Sequence, residues 1–72
     1  MFKVGTKVRI VPSDEKTLYG WGGVQDRYAN EVHTVTQVFP AAETNFYILE
    51  HIAGVFPEEI LDDQNRKRSD RI

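Results

Sequence analysis

The sequence contains no cysteine and no long apolar run. Without cysteine among its 72 residues, the chain can form neither a disulfide framework nor a thiolate centre. No stretch approaches the roughly 18 apolar residues that a membrane-spanning helix needs, and the amino-terminal residues lack the apolar run of a secretory signal. We therefore expect a cytoplasmic protein that does not bind a membrane.

The small net charge of −2 conceals two parts of opposite sign. Residues 1–63 hold five lysines and arginines against ten acidic residues, whereas residues 64–72 hold four against one. The hydrophobic content of 40% indicates a packed core in the first part, and the second part has almost no apolar side chains. We predict one small domain over residues 1–63, followed by a basic, disordered tail over residues 64–72.

Two segments that each stop at a proline have the pattern of β-strands. Residues 2–11 contain an alternation of apolar and polar side chains at positions 7–10, and Gly5 just before it suits a turn or a bulge. Residues 31–39 are rich in valine and threonine. Apolar residues also recur at helical spacing between positions 24 and 39. The β-branched residues in this stretch favour a strand because they lose rotamer freedom in a helix. A short helical turn near residues 24–30 stays compatible with the pattern.

The rest of the domain predicts further short elements. Residues 46–52 form a third apolar segment, and residues 55–56 form a fourth. Residues 57–61 begin with proline and two acidic residues, which is typical of the first turn of a helix. Residues 60–61 could instead lead directly into a last strand. Together these segments predict an all-β fold.

The order of these segments resembles that of the small SH3-like β-barrels. The matching pieces are VGTKVRI at residues 4–10, NEVHTV at 30–35, FYILE at 46–50 and VFPEEIL at 55–61. They are similar to pieces of the barrel found in a peripheral protein of photosystem I, and of KOW-type and Mib-Herc2-type barrels. The resemblance implies a barrel of about five short antiparallel strands, with a long early loop and a one-turn helix near the carboxyl terminus. His33 stands where these families often have glycine, which leaves the pairing of residues 31–39 open.

Few residues have a pattern that supports catalysis or metal binding. His33 and His51 are the only histidines, and without cysteine a zinc site would need carboxylates from elsewhere in the chain. Ser13 and Ser69 have no motif that places a base beside them. The run GWGG at residues 20–23 lacks the lysine and hydroxyl residue of a phosphate-binding loop. We therefore expect no enzyme activity, no cofactor and no metal ion.

The long segment over residues 13–30 is the best candidate for a binding site. It carries three of the aromatic residues, Tyr19, Trp21 and Tyr28, and these residue types are enriched where proteins bind one another. In SH3-like folds the corresponding loop commonly forms part of a partner groove, which is what the resemblance implies. The rings could instead cap the core of so small a domain. We predict that one or two do so and that the rest contact a protein partner, with Asp26 and Arg27 as polar selectors.

Nucleic-acid binding is the alternative function. Its candidate residues are Lys3, Lys7 and Arg9, which alternate along the first predicted strand, and Arg66, Lys67 and Arg68 in the tail. Such cations could bind phosphates, but the net charge of −5 in residues 1–63 opposes a polyanion. We rank a protein partner first and expect a non-enzymatic binding module or accessory subunit. Its size would suit a small bacterial or bacteriophage protein that acts on a host factor.

Overall fold

The computed structural model describes residues 1–64 and contains five strands, one short α-helix and one 3-10 turn. In chain order these are β1 (Lys7–Ile10), α1 (Gly22–Arg27), β2 (Val32–Pro40), β3 (Asn45–Leu49), β4 (Phe56–Pro57), the 3-10 turn (Glu58–Ile60) and β5 (Leu61–Asp63). The strands form one sheet in the order β4-β3-β2-β1-β5, and all neighbouring strands are antiparallel. Residues 65–72, which make up most of the predicted tail, lie outside the described residues. The predicted all-β fold is confirmed.

One hydrophobic core joins both edges of this sheet. Its buried side chains come from every strand, from the 3-10 turn and from the connection between β3 and β4: Val8, Ile10, Val35, Tyr47, Leu49, Ile52, Phe56, Ile60 and Leu61. Because β4 and β5 are the edge strands, and because Phe56 and Leu61 nevertheless share this core, the sheet must curl around it. This architecture is compatible with a small SH3-like barrel.

β1 begins directly after a turn at Gly5, where the alternation of apolar and polar residues begins. Gly5 has a φ of +97°, and the amide of Thr6 donates to the carbonyl of Lys3 at 3.0 Å, so that residues 3–6 form a tight turn. Phe2 therefore lies before the turn and packs against Tyr47, with ring centroids 5.1 Å apart. The strand is confirmed for Lys7–Ile10 and the turn expected at Gly5 is present, whereas residues 2–4 and Val11 of the predicted segment lie outside the strand.

β2 pairs with β1 through its first residues and with β3 through its last. The register with β3 shifts between Val35 and Gln37, and such a bulge bends a strand and increases its twist. His33 lies opposite Val8. Its Nδ1 is 2.9 Å from the carbonyl oxygen of Glu50 and its Nε2 is 2.8 Å from a carboxylate oxygen of Glu31. The histidine thus fits the sheet, and the irregularity of this strand lies at residue 36.

The structure combines the two alternatives weighed for residues 57–61. Pro57 is the last residue of β4 and precedes the 3-10 turn, and that turn leads directly into β5. β3 is shorter than predicted because the chain turns after Leu49, with a φ of +71° at His51. Within residues 1–64, no helix has the length and apolar character needed to cross a membrane.

Candidate functional site

The long segment between β1 and β2 is held to the barrel at its base. The amide of Ile10 donates to the carbonyl of Glu31 at 3.0 Å, and the amide of Asn30 donates to the carbonyl of Ile10 at 2.8 Å. These bonds extend the β1–β2 ladder beyond the strands themselves. α1 lies within the segment and starts two residues before the helical turn allowed by the sequence. The segment is therefore structured over much of its length.

Gln25 ties α1 to the first part of the segment. It is fully buried, and its Nε2 donates to the carbonyl of Val11 at 3.0 Å and to that of Lys16 at 2.6 Å. Within residues 1–64 its Oε1 has no hydrogen-bond partner, which is a cost that the two donated bonds offset. No pattern in the sequence distinguishes this glutamine from a solvent-exposed one, so sequence reasoning missed it.

Two of the three aromatic residues in the segment pack onto the core. The rings of Trp21 and Tyr28 lie with their centroids 6.2 Å and 6.5 Å from that of Phe56, respectively. Both side chains are partly buried against the core cluster. Their contacts fix α1 on the barrel from both of its ends, since Trp21 precedes the helix and Tyr28 follows it.

Tyr19 is placed differently from the other two aromatic residues. It is 99% exposed and lies in a turn closed by a hydrogen bond of 3.0 Å from the amide of Trp21 to the carbonyl of Leu18. Gly20 supplies the positive φ of +84° that this turn requires. Leu18 also packs against the core. The Tyr19 ring thus projects into solvent, while Leu18 and Trp21, at the two ends of the turn, pack against the core.

The two predicted polar selectors have partners within the segment. A carboxylate oxygen of Asp26 accepts hydrogen bonds from the amide and the hydroxyl of Ser13, at 3.0 Å and 2.8 Å. The bond from the amide, followed by that from the hydroxyl, lowers the pKa of Asp26. The guanidinium of Arg27 lies 5.9 Å from the centre of the Tyr28 ring, within the range of a cation–π contact. Asp26 therefore closes the segment, while Arg27 stays exposed at its surface.

The predicted cationic face is only partly assembled. Lys7 and Arg9 share a face of β1, whereas Lys3 lies before the turn at Gly5. The Arg9 guanidinium contacts the carboxylates of Asp62 and Glu15 at 3.0 Å and 3.3 Å, and the hydrogen bond with Asp62 is the main cause that raises the pKa of Arg9. The remaining candidates, Arg66, Lys67 and Arg68, lie outside the described residues.

A groove that the sequence did not predict runs beside the start of the long segment. It has a volume of about 820 Å³ and lies between that segment, the β2–β3 turn and the stretch from the 3-10 turn to β5. Its lining residues are Phe2, Val11, Glu15, Lys16, Glu43, Thr44, Asn45, Glu58, Glu59, Leu61, Asp62 and Asp63. Six of these are acidic and one is a lysine, so we call it the acidic groove. Glu15 and Glu43 are far in the sequence from the four acidic residues between positions 58 and 63, and the fold brings these three parts of the chain together.

Glu58 is the most highly connected carboxylate of the acidic groove. It accepts hydrogen bonds from the Tyr47 hydroxyl at 2.7 Å and from Asn45 Nδ2 at 2.9 Å, and the amino terminus lies 3.7 Å from its other oxygen. The bond from Asn45 contributes most to lowering the pKa of Glu58. Burial raises the pKa of Tyr47 to about 12. This network connects β3, the 3-10 turn and the start of the chain.

Lowering the pH should reduce the free energy of unfolding of the domain, partly because Glu58 becomes protonated. Because folding lowers the pKa of this carboxyl below its ordinary value of 4.5, its contribution to stability is full above that pH and is lost as the pH falls through the folded-state pKa. We expect Glu58→Gln to lower the free energy of unfolding at pH 7, and the difference from wild type to shrink as the pH falls below 4.5. Urea titrations across this range would measure it. Glu43→Gln, at an exposed position, is the control and should show no such pH-dependent difference.

An apolar patch on the outer face of the β2–β3 hairpin was also missed. Phe39 is 44% exposed and lies directly opposite Phe46. Ile48 shares the outward direction of Phe46, because the alternate residues Tyr47 and Leu49 point into the core. The unbroken apolar run over residues 46–49 was the signal, since a strand that is apolar on both faces is not typical of a sheet with one face in water.

Neither a metal centre nor a known relative explains these surfaces. Among residues 1–64, no three histidine, cysteine or acidic side chains come together in a group that could hold a metal ion. Comparison with protein-family models, curated proteins and solved structures finds no match. The possible functions of these surfaces therefore follow from the chemistry of their own residues. Three features stand out: the exposed ring of Tyr19, the acidic groove and the apolar patch around Phe39.

Proposed function

We propose that the chain is a non-enzymatic protein-binding module or accessory subunit of the cytoplasm, and that it recognises a protein partner through the long segment over residues 13–30. The observation that carries the proposal is the placement of Tyr19. Its ring is 99% exposed, while the residues on both sides of the turn pack against the core. A small bacterial or bacteriophage protein that acts on a host factor would fit this description.

The mechanism is the insertion of a preorganised aromatic ring into a pocket of the partner. Tyrosine buries a large area with few rotatable bonds, so little conformational entropy is lost on binding. The backbone of the turn is already fixed by the bond between Trp21 and Leu18, which lowers the ordering cost further. Arg27, exposed and lying over the Tyr28 ring, can add a charged contact from the same long segment.

The charge of the domain favours a protein partner over a nucleic acid. Residues 1–63 carry a net charge of −5, and Arg9 already faces two carboxylates. Phosphate binding depends on cations that are free to replace condensed counterions, and Arg9 does not meet that condition. No described residue pair gives specific support to the nucleic-acid alternative.

The proposal predicts that Tyr19→Ala loses the partner while the domain stays folded. Wild type, Tyr19→Ala and Phe39→Ala would be immobilised, and the proteins that they retain from an extract would be quantified by mass spectrometry. Truncation of a central interface tyrosine costs on the order of 2 kcal/mol, which is about a 30-fold loss of affinity. We expect a partner retained by wild type and Phe39→Ala and depleted with Tyr19→Ala.

Two results of this capture experiment would contradict the proposal. The first is equal recovery of every retained protein with a folded Tyr19→Ala variant. The second is depletion with Phe39→Ala alone, which would assign binding to the apolar patch on the hairpin. A separate titration with nucleic acid at low and high salt tests the alternative function, because phosphate binding weakens steeply as salt rises.

A further inference from the structure

The acidic groove has the shape and the chemistry of a pocket for a tyrosine side chain. It is concave, and Phe2, Val11 and Leu61 contribute apolar atoms to its lining. Glu59 also lines the groove, and its carboxylate accepts one hydrogen bond, from the Thr44 hydroxyl at 2.8 Å. A carboxylate can accept several hydrogen bonds, and a tyrosine combines an apolar ring with a hydroxyl donor. The groove therefore offers a partner to each part of a tyrosine.

The long segment holds such a ring close to the groove but outside it. Lys16 lines the groove, and Tyr19 follows three residues later, so that the two Cα atoms lie within about 11 Å of each other. The Tyr19 ring is 99% exposed and thus does not occupy the groove of its own chain. Leu18 and Trp21, which pack against the core, hold the turn in this position. The ring can enter the groove of a second molecule instead.

The long segment and the groove also carry complementary charges. Arg27 is exposed on α1, and Glu43 is exposed at the β2–β3 turn, where it lines the groove. None of the ion pairs found within residues 1–64 involves either side chain. A guanidinium and a carboxylate form charge-assisted hydrogen bonds when they meet. Arg27 of one copy and Glu43 of another therefore complement each other.

A two-fold arrangement of two copies uses these features in both directions. In a two-fold interface, each contact between one residue and another is repeated with the two copies exchanged. Because Tyr19 lies close to the groove along the same segment, one axis between two copies can bring each ring to the groove of the other. A head-to-tail arrangement would leave one ring and one groove unused at the ends of the assembly. The two-fold arrangement is therefore the one that closes.

We propose that two copies of the chain form a two-fold dimer in which each copy inserts Tyr19 into the acidic groove of the other. Arg27 of each copy contacts Glu43 of its partner at the edge of the groove. Exposed ion pairs of this kind are weak, so the dimer depends on concentration. This inference goes beyond the proposed function but uses the same ring. The protein partner proposed above would bind the monomer and compete with the second copy.

Sedimentation velocity of the full chain tests the dimer. We expect the chain of 8.3 kDa to sediment as a monomer at about 10 μM and increasingly at twice that mass toward about 1 mM, a range that covers weak association. Tyr19→Ala should weaken the association at least about 30-fold, because it removes the ring from both contacts. Phe39→Ala, which truncates an exposed ring outside the groove, should associate as wild type does.

Two results of this experiment would overturn the proposal. One is a monomer at every concentration. The other is a dimer that Phe39→Ala weakens and Tyr19→Ala does not, since the copies would then meet through the apolar patch on the hairpin. Both variants change exposed side chains, so circular dichroism should show each of them folded.

A mixture of two defective variants tests whether the contact is reciprocal. Glu43→Arg places a cation where Arg27 of the other copy would bind and should weaken association about tenfold. Glu50→Arg makes the same change at an exposed position outside the groove and should have no such effect. Mixed with Tyr19→Ala, the Glu43→Arg chain should associate more strongly than either variant alone, because its Tyr19 meets an unchanged groove. No gain in the mixture would overturn the proposal.

The dimer and the proposed function fail in different experiments. A wild-type chain that stays monomeric and still retains a Tyr19-dependent protein from the extract would overturn the dimer alone. A Tyr19-dependent dimer, together with equal recovery of every captured protein by wild type and Tyr19→Ala, would support the dimer and contradict the proposed function.

Discussion

Phe56→Ala is expected to abolish the cooperative unfolding transition of the domain. Phe56 is 1% exposed, and it is the core residue against which both Trp21 and Tyr28 pack. Truncation of a buried phenylalanine to alanine costs about 3–5 kcal/mol, and a single core in a chain of this size supplies roughly that much stability in total. Urea denaturation followed by circular dichroism would show an unfolded baseline from the first point.

Phe39→Ala provides the matched control for this experiment. Phe39 is the same residue type, but it is 44% exposed on the outer face of β2, and surface substitutions usually change stability by only about 0.5 kcal/mol. Phe56→Leu keeps most of the buried volume and should restore a cooperative transition. The account of the core would be contradicted if Phe56→Ala unfolded cooperatively with a loss no larger than that of Phe39→Ala.

Gln25→Met is expected to loosen the long segment and to destabilise the domain by about 1–3 kcal/mol, because the carbonyl of Val11 would be left buried and unpaired. The part-buried carbonyl of Lys16 also loses its donor. Methionine keeps the approximate size of the side chain but cannot donate to Val11 and Lys16. Removal of the unpartnered Oε1 recovers part of the loss. Denaturant titration gives the global effect.

Amide hydrogen exchange distinguishes local loosening of the long segment from the global loss of stability. The amides of Lys16 and Gln25, which donate to Pro12 and Trp21, should exchange faster in Gln25→Met than in wild type even at low denaturant. Gln37→Met, at an exposed position of β2, is the control and should change neither stability nor exchange in the segment. Unchanged exchange at Lys16 in Gln25→Met would show that the glutamine does not hold the segment.

The strands were predictable because their signals are local. β-branched residues that alternate with polar ones, together with Pro12 beyond the end of β1 and Pro40 at the end of β2, place these strands to within a few residues. The turn at Gly5 was predictable too, because a glycine before a strand readily adopts the positive φ that turns the chain there. The two alternatives for residues 57–61 were both partly right, because a 3-10 turn is short enough to precede a strand directly.

The surfaces were less predictable because they depend on contacts between distant residues. The sequence identified Tyr19, Trp21 and Tyr28 as a group, but only the position of Phe56 in the barrel separates the two packed rings from the exposed one. Gln25 gave no signal, since its partners are backbone carbonyls. The convergence of the carboxylates in the acidic groove follows from the pairing of β5 with β1 and from the β2–β3 turn, and neither is a local signal.

Recognition through the Tyr19 turn can be tested directly once a partner has been captured. The measurement is an NMR titration of the isotope-labelled full chain with that partner, read at each backbone amide. The account predicts the largest signal changes at Tyr19 and Gly20, with smaller ones at Arg27 and none at Lys7. Changes centred on Lys7 or on the patch around Phe39, with the Tyr19 signal unmoved, would contradict it.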